Sequence, residues 1–158
     1  MTVTSTHHNR SNRHEVPAPA AILGASGALP FVGLVLAPLW GLEPFGRPPL
    51  FVLALYSVTI LSFMGAVHWG LAMAEYGGRR DTAWSYVASV MPPLFGWFAL
   101  AFLPQVVALR VIAAAFILLL AYDIRAVRLG LAPMWYTRFR WPLTLAVVPT
   151  LVAASVLT

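Results

Sequence analysis

The sequence predicts an all-α membrane protein with five transmembrane helices, the N-terminus cytoplasmic and the C-terminus outside. Three observations carry this expectation. Hydrophobic residues make up 60% of the 158 and charged residues 9%, against about 25% charged in soluble domains, so the charges are too few to cover a water-facing surface. The apolar residues fall into runs close to the ~20 residues that cross a bilayer. The ten basic residues, all Arg, lie between those runs and concentrate on alternate sides of them.

The elements follow in chain order. Residues 1–17 are polar, with His7, His8, Arg10, Arg13 and His14, and read as a disordered tail ahead of one five-helix domain over 18–158. A short Arg- and Ser-containing transit peptide is the alternative for this segment. The apolar run behind it is too long for the 7–15-residue core of a signal peptide. The five spans are expected over 20–39, 50–73, 84–103, 106–122 and 142–157. Arg110 falls in the fourth. It lies near the start of that helix, where its head can snorkel outward. Between the spans, 41–49 is rich in Pro and Gly, 75–81 (EYGGRRD) reads as a tight turn, and Pro104 alone joins the third helix to the fourth as a short hairpin. The longest connection, 123–141, carries Arg125, Arg128, Arg138 and Arg140 with Trp135, Tyr136 and Phe139. It is expected to lie along the headgroups, with Pro142 opening the fifth helix.

Orientation comes from the Arg distribution. Arg10, Arg13, Arg79, Arg80, Arg125, Arg128, Arg138 and Arg140 share one side, and Arg47 and Arg110 the other. Eight against two places the Arg-rich side in the cytoplasm, or in the matrix for a mitochondrial protein.

Lipid gives helices no hydrophobic reason to associate, so small residues at four-residue spacing mark packing seams. Ala20, Gly24 and Ala28 form such a row in the first helix, Ser62, Ala66 and Gly70 in the second, and Ser85 and Ser89 in the third. Pro30, Pro38, Pro92, Pro93 and Pro149 interrupt the spans, and the adjacent pair at mid-helix is the most specific of these signals.

Few residues offer chemistry. His68 is the single His inside a span, and with Trp69 it forms the weak candidate for a cofactor-binding position. One His cannot supply both axial ligands of a bis-His haem. The competing reading is a neutral imidazole bonded to a neighbouring helix. Arg110 and Asp123 sit about 20 Å apart along one helix and do not pair. Asp123 is expected to meet Arg79, Arg80 or Arg125 at the cytoplasmic face. The chain has no cysteine, which excludes disulfides, thiol catalysis and Cys-ligated metal. Phosphate-loop, HExxH and GxSxG motifs are absent from it. No catalytic residue, cofactor, metal or nucleic-acid partner is therefore expected. Lipid binding is expected of Arg125, Arg128, Trp135, Tyr136, Arg138 and Arg140, since Arg and amphipathic rings suit an anionic headgroup layer.

Residues 56–70 read YSVTILSFMGAVHWG and resemble the central signature of the transmembrane protein 69-like family, domain-of-unknown-function family 3429. Residues 25–31 (ASGALPF) resemble its first-helix motif, 84–100 (WSYVASVMPPLFGWFAL) its W…SV-P…W pattern, and 133–144 (PMWYTRFRWPLT) its closing motif. The resemblance runs from about residue 20 to the end, with Met64 and Ala66 departing from the pattern. It implies five helices and a bacterial inner membrane, or the mitochondrial inner membrane as the eukaryotic alternative, and it assigns no activity. The leading functional expectation is a non-catalytic accessory or assembly subunit of a larger bioenergetic complex, with anionic lipid and other membrane subunits as partners. A small oligomeric transporter or channel, supported by the Pro-broken helices, is the second. A lipid- or quinone-binding enzyme near His68, Trp69, Trp84 and Arg140 is the third.

Overall fold

The computed structural model describes residues 15–74 and 83–156. Five α-helices account for most of them: α1 (Ala18–Leu36), α2 (Pro49–Met73), α3 (Ala83–Phe102), α4 (Gln105–Arg128) and α5 (Met134–Ala154). Among the described residues there is no strand. Four helical stretches are long and apolar enough to cross a membrane: Ala18–Trp40, Pro49–Met73, Ala83–Phe102 and Gln105–Arg128.

Local chemistry sets the helix ends. Pro48 and Pro104 precede the first turns of α2 and α4, where the chain enters in an extended conformation and a helical N–H has no partner to lose. A single 3₁₀ turn, Ala37–Trp40, continues α1. Gly41 closes it at φ 63°, with Leu42 N–H donating to the Ala37 carbonyl and Gly41 N–H to that of Pro38. Gly130 does the same for α4. It sits at φ 72°, Leu131 N–H reaches the Ala126 carbonyl at 2.8 Å and Gly130 N–H that of Val127 at 3.0 Å. This is the paired-bond stop that glycine favours after a helix, and Arg125 and Arg128 in the last turn complement its negative end.

That stop corrects two expectations. The fourth helix does not end near Tyr122. It runs to Arg128, so Asp123 lies inside it. The fifth does not begin at Pro142 but at Met134, and residues 134–141 form its first two turns instead of a chain spread along the headgroups. The true connection is 129–133. Between α3 and α4 only Leu103 and Pro104 intervene, giving the expected hairpin.

Each helix packs on its chain neighbour. The ring closes where α1 lies between α2 and α5, and α2 also touches α4 across the bundle. Helix α4 holds the centre, with a buried stripe of Leu109, Ile112, Phe116, Leu119, Asp123 and Ala126. Helix α1 is peripheral: Phe31 is its one buried residue. It is fastened by the Tyr56 hydroxyl donating to the Gly27 carbonyl at 2.9 Å and by an edge-on contact of Phe31 with Tyr56, centroids 5.1 Å apart.

At the α2–α3 seam the two backbones come close. A Cβ at Gly65 would stand 2.5 Å from the Ser89 carbonyl oxygen. Pro93 lacks the N–H that would otherwise donate to this carbonyl within the helix, so the freed oxygen turns toward a position where only glycine leaves room. Ser85, Ser89 and Gly96 line the α3 side as a buried row. On α2 the expected row is displaced by one face: Ala66 and Gly70 are exposed, Gly65 meets Ser89, and Val58 and Leu61 meet Gly96.

Candidate functional site

Three side chains from three helices meet inside the bundle. His68 lies five residues before the end of α2, Asp123 five before the end of α4, and Arg140 six after the start of α5. At 1.5 Å per residue all three sit roughly 8–9 Å below the same end of the bundle. Each is on the buried stripe of its helix, which turns them toward one another.

Asp123 is fully buried and both of its oxygens are engaged. His68 Nε2 stands 2.6 Å from Oδ1, and Arg140 Nε donates to Oδ2 at 2.6 Å. His68 is 2% exposed and Arg140 1%, so water does not screen the pairing. Tyr rings enclose the imidazole: Tyr122 meets its ring edge-on at 4.7 Å and Tyr136 at 6.2 Å. The Tyr122 hydroxyl goes on to Ser85 Oγ at 3.3 Å, which links the cluster to α3. A buried charge persists only when paired and hydrogen-bonded. Asp123 and Arg140 cancel, and His68 satisfies the remaining carboxylate oxygen.

Beside the cluster lies a cleft of about 490 Å³ between α1, α2 and α5. Its walls are mostly apolar, with Gly24 and Gly27 from α1, Met64 and Val67 from α2, and Phe139 and Leu143 from α5. Leu23 and Phe63 also line it and are largely exposed, so it has a mouth on the outer surface. Three further lining residues are polar: Tyr136, Arg140 and Thr144. Each carries a buried atom, Tyr136 Oη, Arg140 Nη2 and Thr144 Oγ1, that finds no hydrogen-bond partner among the described residues.

Several sequence expectations meet this geometry directly. His68 is bonded to a neighbouring helix, and its partner is Asp123. Asp123 does not meet Arg125, which is exposed on the outside of α4. Arg79 and Arg80 lie outside the described residues, as do His7, His8, His14, Arg10, Arg13, Glu75 and Asp81. Trp69 is half-exposed and stacks edge-on against Tyr86 at 4.9 Å, outside the cleft. Trp84 is 79% exposed, also away from it. Of the six residues expected to meet lipid, Arg125, Arg128 and Arg138 are exposed and Trp135 is half-buried. Tyr136 and Arg140 instead point into the bundle, because helix α5 starts early enough to put them on its buried stripe with Thr144, Val147 and Leu151. Arg110 is exposed near the start of α4, and its Nε donates to Ser155 Oγ at 3.2 Å. Thr144 was not anticipated. Its four-residue step from Arg140 on a helix is the signal that points to it.

A family model described as a protein of unknown function, DUF3429, matches residues 16–156. The chain belongs to this family. It is 31% identical over 144 residues to transmembrane protein 69 of Xenopus tropicalis, which covers 90% of this chain and 55% of that protein. The chain thus spans about half the length of that relative. No solved structure matches. The matched region contains every described helix, so His68, Asp123, Arg140 and the cleft all lie within the family's shared segment.

Proposed function

We propose that the protein is a non-catalytic accessory or assembly subunit of a larger bioenergetic complex in a bacterial inner membrane, or in the mitochondrial inner membrane. The observation that carries the reading is the condition of Asp123. It is the one buried acid among the described residues, and both its oxygens are taken by donors on other helices. A carboxylate held this way fastens α2, α4 and α5 together, and with both oxygens bonded and the group fully buried it is poorly placed to reach a reacting group as a general base must.

The core beyond the cluster weighs against a transporter built from one chain. Leu53, Leu61, Leu109, Ile112, Phe116 and Leu151 are buried there, and the Ser57 hydroxyl in that region is spent on its own helix at the Leu53 carbonyl. Five spans fit this reading. At 21 residues, α5 is about 31 Å long, close to the ~30 Å hydrocarbon core. Its polar character comes partly from Arg140, which faces Asp123 and not lipid. The Arg asymmetry supports a cytoplasmic or matrix N-terminus.

The test is purification of the tagged full chain in a mild detergent, with deletion in parallel. A stoichiometric membrane subunit that comigrates on native gels, and whose assembled complex declines on deletion, is the expected result. A monodisperse single chain together with unchanged complexes overturns the reading.

A further inference from the structure

The cleft between α1, α2 and α5 is unexplained by a clamp or by a partner surface, and its chemistry is specific. Its wall is apolar, its mouth opens between exposed Leu23 and Phe63 on the side of the bundle, and its volume of about 490 Å³ falls within the ~300–1,000 Å³ of small-molecule sites. The three unpartnered buried polar atoms of the described residues, on Tyr136, Arg140 and Thr144, all belong to side chains that line it. They occupy successive turns of one face of α5. A buried donor without an acceptor is costly, and three gathered at one wall are the pattern left when a ligand supplies the acceptors.

We propose that this cleft binds a membrane-soluble molecule with an apolar tail and an uncharged, carbonyl-bearing head, the head lying at Tyr136, Arg140 and Thr144. The side-facing mouth admits it from the bilayer. Arg140 and both hydroxyls can donate to carbonyl oxygens. The charge balance selects an uncharged head. The Arg140 guanidinium is already neutralised by Asp123 at 2.6 Å, so an anionic head would bring a net negative charge into a buried site, which is strongly disfavoured. An isoprenoid quinone and a diacylglycerol both present this chemistry.

Native mass spectrometry of the purified full chain tests the assignment, with three probes added separately: decylubiquinone, dioleoylglycerol and oleate. One-to-one retention of the quinone or of the acylglycerol is expected, and which of the two is retained distinguishes the sources. Retention of oleate alone, or of none of the three, overturns the proposal. Arg140 also serves the clamp, so the variants avoid it. Tyr136→Phe and Thr144→Val remove one donor each and should weaken retention about two- to tenfold apiece. A Cβ at Gly27 would meet nothing closer than the Tyr56 hydroxyl at 3.8 Å. The first carbon of a side chain is therefore accommodated there, and Gly27→Leu, at a position lining the cleft, should abolish binding. Thermal stability of the ligand-free protein is the second readout. Thr144→Val should leave it unchanged or raise it, since a buried orphan hydroxyl is removed. A clear fall in stability, or unaltered binding in all three variants, overturns the proposal.

Discussion

Asp123→Asn isolates the charge of the buried cluster from its shape. The side chains are isosteric, and the amide oxygen can still accept from Arg140 Nε, now bonded at 2.6 Å. The amide nitrogen then faces His68 Nε2, at 2.6 Å from the second oxygen. A neutral imidazole can meet it by carrying its proton on Nδ1 and offering a lone pair from Nε2. The number of hydrogen bonds is preserved, and the counter-charge of Arg140 is lost. Breaking a buried ion pair by removing one partner costs about 3–5 kcal/mol. The retained amide bonds return about 1 kcal/mol, so a loss of roughly 2–4 kcal/mol is expected. This is a large share of the ~5–15 kcal/mol that holds a typical fold. Arg140→Gln should produce a loss of the same order by leaving Asp123 without its cation. The double variant should cost less than the sum of the two by roughly 0.5–3 kcal/mol, as expected for contacting residues. Reversible unfolding by dodecyl sulfate in mixed micelles, followed by Trp fluorescence, measures all three. Single losses below about 1 kcal/mol, or a double variant that is additive within about 0.5 kcal/mol, would refute the argument that the cluster is one charge-compensated unit.

Gly65→Ala forces a methyl to within 2.5 Å of the Ser89 carbonyl oxygen. It should lower stability by about 1–3 kcal/mol, whereas Gly70→Ala, with nothing within 4 Å, should not; thermal unfolding in detergent compares them. The cysteine pair Phe102→Cys and Val106→Cys flanks the Leu103-Pro104 connection and should crosslink through a short reagent; failure where control pairs react counts against the hairpin. Exposed Arg125, Arg128 and Arg138 should each contribute roughly 1 kcal/mol of attraction to an anionic leaflet. Their triple Gln variant should lose retained cardiolipin or phosphatidylglycerol in native mass spectra without unfolding, and unaltered retention would remove lipid binding from this face.

Four helices are readable because their lengths and apolar runs match the bilayer, and the hairpin because Pro104 leaves no alternative. The site was half readable. His68 stands out as the lone His of a span, but its partner lies in the last turns of α4, where the charges mask the helix. The charged residues that follow Asp123 mimic a helix end. The sequence YDIRAVRLG holds neither Pro nor Gly before Gly130, so nothing in it stops a helix earlier. Counting from Leu109 in steps of three and four reaches Asp123 as a core position, and counting from Tyr136 in fours reaches Arg140 and Thr144. Charge alone places Arg140 at the surface, where Arg is normally found. The buried carboxylate that overrides this lies 17 residues away, and no single-helix pattern shows it. The cleft was not readable at all, because it depends on how far α1 stands from α5.

The opposed charges on α4 and α5 also constrain how the chain enters the membrane. Asp123 or Arg140 presented alone in an inserting helix, roughly 8–9 Å inside its end, carries a cost below the ~2.5–3.5 kcal/mol of a charge at a helix centre, and α5 has only a short wholly apolar stretch after Arg140 to offset it. The two residues lie at matching depths in consecutive helices joined by five residues. Inserted as a hairpin, they meet before either is exposed to hydrocarbon. In the proposed five-span arrangement, biogenesis then favours α4 and α5 entering the bilayer together, with α2 completing the cluster when His68 docks against the preformed pair. Separating α4 from α5 by a long insertion at 129–133 would leave each helix fully synthesised but strand α5 at the membrane surface.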